Sequence, residues 1–224
     1  MAREGFTPPH RAIGRAAGWA TFLLGVVYTP TLALGLLSLK SPQDPIGDPY
    51  FSIMELLIVL MAPLMVACMV AVHAYASPEA KAYSLTALVF MILLAGITSS
   101  VHFLILTVSR PLEAMGATWV PLLLSFQWPS VAYTLDILAW DWFFALSMLL
   151  AAPVFKAGRL EITVRVLMMV SGVLSLVGLI GVPLAEMQVS NWFMYRNIGI
   201  IGYAVVAPVV FLLLGILFGR AQKA

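Results

Sequence analysis

A single cysteine, Cys68, among 224 residues rules out an intrachain disulfide, and its place in mid-run says nothing of the redox compartment. Charge is equally scarce. Asp, Glu, Lys and Arg make up 10% of the chain against 62% hydrophobic residues, and mean hydropathy is +1.01, a composition no soluble domain needs. The formal net charge of +2 calls for no nucleic-acid partner. Strict apolar/polar alternation, the mark of a membrane barrel strand, is absent throughout. No phosphate loop, dinucleotide fingerprint, nucleophile elbow or zinc-knuckle spacing occurs, so an ATP-driven or classical hydrolase mechanism would have to come from another chain. Only three histidines are present, and His102 alone lies well inside an apolar run, which removes the paired axial ligands a haem needs. No cofactor can be named from the residues.

What remains is long apolar runs. Runs beyond about 18 residues read as transmembrane helices. Six are present, near residues 16–39, 51–76, 84–108, 130–155, 162–185 and 196–219. The expectation is an all-α polytopic bundle of six transmembrane helices, a single domain over residues 1–224, with the lipid bilayer as its surroundings. The first run is full span length and lacks a small-residue cleavage site, so it reads as a retained helix rather than a secretory signal. Basic residues favour the cytoplasmic side. With both termini inside, nine of the twelve basic residues are inner and only Lys40, Arg110 and Arg196 are outer. The expected location is the cell membrane, multi-pass, N-in and C-in.

Residues 1–15 read as a polar cytoplasmic lead-in. Residues 109–129 stand out because their second half is apolar and Trp119 and Trp128 sit near its ends. Such a segment lies in the outer interface or folds back as a lid. Pro30, Pro63 and Pro208 fall inside spans without matched partners, so an inverted repeat of three helices plus three has no support. Gly14-x-x-x-Gly18, Gly215-x-x-x-Gly219 and the Ser171, Ser175, Gly178 stripe read as packing surfaces, suited to joining the first and last helices or copies of the chain in a homo-oligomer. Met61, Met65, Cys68 and Met69 share an arc of the second run; soft sulfur suits copper(I), but methionine more often fills gaps between helices.

The remaining polar residues are those within the spans. Ionisable groups at membrane depth are costly and mark a site or a structural pair. At about 1.5 Å per residue, Glu55, His102 and Asp136 lie about 6–9 Å below the outer face, where Arg196 and Asn197 open the last span. Tyr133, Asp136 and Trp140 share one stripe of the fourth run, and Thr98 and Ser99 lie one turn before His102. Asp141, about 140° around the helix from Asp136 at about 100° per residue, should meet a different neighbour. One reading is structural, with Glu55 paired to Arg196 and His102 to Asp136, and fits a non-catalytic subunit of a membrane complex. A second is a metal-assisted intramembrane hydrolase on Glu55, His102 and Asp136, although nothing like HExxH is present. The leading expectation is a pocket that binds or transports a small amphipathic or anionic molecule, a small-molecule or lipid ligand. Asp136 and His102 would form its core, Glu55 and Arg196 would supply opposed charges, and Tyr133 and Trp140 would line it.

Overall fold

Apolar runs of this length have one way to satisfy their backbone in lipid, which is to close every N–H and C=O within a helix. A computed structural model describes residues 5–41, 44–180 and 192–221, those at 192 and 193 by backbone only. Helix makes up 83% of it and no strand occurs among the described residues, in line with the all-α expectation. Six helices are long and apolar enough to cross a membrane, and the protein is an integral membrane protein. They are α1 (Pro8–Leu37), α2 (Tyr50–Tyr75), α3 (Pro78–Ala114), α4 (Val131–Val154), α5 (Gly158–Val177) and α6 (Met194–Arg220).

Each helix packs on the next in sequence, and α6 returns to α1, so the six close into a ring of antiparallel neighbours. The closure lies at the glycines. A Cβ on Gly18 would stand 2.7 Å from the carbonyl oxygen of Phe211 and 2.8 Å from the amide of Gly215, an approach only glycine permits. The stripe on α5 serves the same purpose, since Ser171 Oγ donates to the Gly202 carbonyl of α6 at 2.8 Å.

Two ends differ from expectation. α1 begins at Pro8 rather than Ala16, because Thr7 caps it in a box with His10 and Phe6 is buried against Tyr75 and Phe218. Part of the expected lead-in is therefore helix. α3 runs on to Ala114, six residues past its expected end, through a wide i→i+5 stretch at Ile105–Ser109. It stops in a Schellman turn: Gly116 takes φ +81°, Ala117 N–H reaches the Leu112 carbonyl at 3.0 Å, and Gly116 N–H reaches Glu113 at 2.9 Å. Two further wide stretches occur, Leu138–Phe144 in α4 and Ile201–Val206 in α6.

One half of the ring is filled. Met69, Met91, Phe144, Met148, Met168 and Phe218 are almost wholly buried there, with Cys68 among them, which gives Cys68 and Met69 of the methionine arc a packing role. The other half, toward the connections around residues 38–49 and 115–130, is hollow.

Candidate functional site

The hollow is a cavity of about 1230 Å³. Its wall on α1 is the helical stripe Thr21, Gly25, Tyr28, Leu32 and Leu36, which at about 1.5 Å per residue spans about 23 Å of depth. At the mouth stand Asp44, Asp48, Arg110 and Glu113. Below them comes a polar layer, and below that an apolar sleeve that includes Ile58, Met61, Met65 and Phe211.

All six residues expected at the site line this one cavity: Glu55, His102, Tyr133, Asp136, Trp140 and Arg196. Their pairing differs from the structural expectation in one respect. His102 bonds Asp136 as expected, Nε2 to Oδ1 at 3.2 Å, but Glu55 also bonds His102, Oε2 to Nδ1 at 2.8 Å, and does not pair with Arg196. Arg196 is instead buried against Asp141. The reason is angular. The wide stretch in α4 begins just after Asp136, which faces α3, and carries Asp141 round toward α5 and α6. There the Asp141 carboxylate is wedged between two glycines: a Cβ on Gly178 would stand 2.8 Å from it, and one on Gly199 3.0 Å.

The polar layer is a continuous chain of bonds across three helices. Trp140 Nε1–H donates to Thr98 Oγ1 at 3.0 Å, and Thr98 Oγ1–H donates to Asp136 Oδ1 at 3.3 Å. His102 then links Asp136 to Glu55. This chain sets a minimum on the protons it shares. Two ring nitrogens each facing a carboxylate oxygen require two shared protons, whether imidazolium sits between two carboxylates or neutral imidazole sits between one carboxylate and one carboxylic acid. With those two protons alone, either arrangement gives the trio a net charge of −1.

Exposure separates reachable groups from supporting ones. The Asp136 side chain is 14% accessible, against 2% for Glu55, 3% for His102, 6% for Arg196 and none for Asp141. Asp136 is therefore the ionisable group of the layer that a cavity occupant meets first. Aromatic faces surround it. Phe126 lies 4.9 Å from the His102 ring and edge-on to Tyr133, and Trp140 lies 5.1 Å from Tyr203. The Arg196 guanidinium sits over Tyr133 at 5.5 Å and within 3.4 Å of the Tyr203 hydroxyl.

Sequence reasoning missed Phe126 and Tyr203. Phe126 lies in irregular chain, where no periodicity assigns a facing. Tyr203 lies seven residues after Arg196, a spacing that would have shown it on the same helix side. Of the hydroxyls that flank Pro30 on α1, Tyr28 lines the cavity, whereas Thr29 donates to the Ala204 carbonyl at 2.6 Å and Thr31 to Val27 at 2.7 Å. Among the described residues, no group of three His, Cys, Asp or Glu is arranged to hold a metal ion. No protein-family model, curated protein or solved structure matches the chain.

Proposed function

We propose that this protein binds or transports a small amphipathic molecule, held with its polar end at the Glu55–His102–Asp136 layer and its apolar body in the sleeve beneath. The observation that carries the reading is the cavity of about 1230 Å³, somewhat larger than an ordinary small-molecule pocket, with three bonded ionisable groups on one level of its wall. From Glu55 to Met65 along α2 the sleeve is about 15 Å deep at 1.5 Å per residue, room for an extended hydrocarbon body. An anionic head group would have required a free Arg196, and that guanidinium is neutralised by Asp141. The amphipathic half of the expectation is therefore the half retained.

The basic residues, nine against three, support placing both termini in the cytoplasm and the cavity mouth on the opposite side of the cell membrane. Residues 115–130 then form the outer cover of the site, with Phe126 as its inner face.

Native mass spectrometry of the full chain in lipid nanodiscs tests the reading. Wild type is expected to retain a bound small molecule that Asp136→Asn and His102→Ala lose while eluting as folded protein. Unchanged adducts in both variants overturn it.

A further inference from the structure

Resting on that ligand-site reading, we infer that the head group received at Asp136 is a cation: the cavity is built for a lipophilic ammonium-type molecule. Three independent features converge on this class. The first is charge. Of the ionisable groups lining the cavity, Asp48 is paired with Arg110 at 2.8 Å, and Arg196 with Asp141 behind the wall. What is left is the trio, net −1 with its two shared protons, together with Asp44 and Glu113 at the mouth, while the two arginines of the wall, Arg110 and Arg196, each face an aspartate of their own. An apolar-walled cleft lined by one sign of charge focuses its field and draws in the opposite sign.

The second feature is unused acceptor capacity. Both bonds to Asp136 fall on Oδ1, and the single bond to Glu55 falls on Oε2. No described residue donates to Asp136 Oδ2 or Glu55 Oε1. Glu55 lines the cavity, and its second oxygen takes no bond from any described residue there. A carboxylate oxygen of this kind wants a hydrogen-bond donor or a positive charge, and neither an anionic nor a purely apolar occupant brings one.

The third is the wall itself. Tyr28, Phe126, Tyr133, Trp140 and Tyr203 ring the layer, and aromatic faces attract cations within about 6 Å of the ring centre, more strongly where water is excluded. The molecule already uses this contact internally, with Arg196 over Tyr133 and Arg110 over Phe51 at 5.4 Å. The occupant so specified carries one positive charge at Asp136 and an apolar body running toward Met65.

Three probes with one apolar chain and different heads test the class: decyltrimethylammonium, decyl sulfate and decanol. Each is radiolabelled and bound to the full chain in phosphatidylcholine nanodiscs, with empty discs subtracted. Decyltrimethylammonium is expected to bind saturably at one per chain, about tenfold or more tighter than decyl sulfate. Asp136→Asn is expected to remove that preference while leaving decanol binding within about twofold. Should Asp136→Asn fail to fold, Tyr133→Leu replaces it, with the cation weakened and decanol unchanged. Decyl sulfate or decanol binding as tightly as the cation overturns the cationic assignment but leaves the ligand site standing. If none of the three binds above empty discs, the ligand-site reading falls with it.

Discussion

Asp141 and Arg196 show how a single side-chain pair sets terms for the whole site. Both are buried in a bundle interior where neither charge has water. Removing one partner of such a pair strands the other and costs about 3–5 kcal/mol, whereas replacing both by apolar groups is often neutral. Asp141→Asn is therefore expected to lower the melting temperature in detergent sharply, and Asp141→Leu with Arg196→Met to recover most of the loss. A double variant no more stable than the single one would show that the pair does not act as a unit. Asp48 provides the contrasting exposed case. The Arg110 guanidinium, and then the Ser52 hydroxyl, hold its carboxyl below the usual carboxylate range. A depressed carboxyl stabilises fully above its ordinary pKa, and that contribution disappears as pH falls through its folded value. Because the pair is exposed, its worth is below about 1 kcal/mol. Asp48→Asn is thus expected to trim stability slightly at pH 7 and to converge on wild type only as pH falls below the ordinary aspartate range, read as the difference in melting temperature.

Among the elements, the helices owe their positions to close approach and to turns that depart from the α period. The wide stretch in α6 leaves carbonyls open to side chains, and neighbours on both sides use them: Thr29 of α1 reaches Ala204 and Ser171 of α5 reaches Gly202. The glycines do what those bonds cannot, bringing α1 and α6 into backbone contact. Gly18→Ala would push a methyl to 2.7 Å from a backbone oxygen, with no flexible side chain there to yield. Overpacking of this kind costs about 1–3 kcal/mol. The expected outcome is a lower melting temperature than for Gly96→Ala, whose added Cβ meets nothing within 4 Å. Element by element, the sequence was legible where a fixed rise decides the answer. Glu55, His102 and Asp136 could be placed on one level because each helix advances by the same step. The pairing of Glu55 was not legible, because it depends on side-chain facing across helices that a sequence read alone does not orient. The extension of α3 past Val108 was hidden for a related reason: Arg110, Pro111 and Glu113 break the apolar run while the backbone remains helical.

Considered as a whole molecule, the ring has one solid half and one hollow half, and that asymmetry makes a directional statement about the membrane. Cys68 is buried in the solid half, so wild type offers no reactive thiol to a water-borne reagent. In a Cys68→Ser background, Ser125→Cys places a thiol at the mouth beside the cover, and Met148→Cys places one in the filled half. A membrane-impermeant methanethiosulfonate added to intact cells is expected to label Ser125→Cys and to leave Met148→Cys untouched. If both termini are cytoplasmic, inside-out vesicles reverse the accessibility of Ser125→Cys while Met148→Cys stays protected. The cover contributes to the rate. Phe126 closes over His102 from irregular chain held at one end by the turn at Gly116. Phe126→Ala should therefore speed modification of a thiol set deeper in the wall, Ile58→Cys, by removing the ring that stands between it and the mouth. An unchanged rate would mean that the route to the polar layer runs between helices rather than beneath residues 115–130.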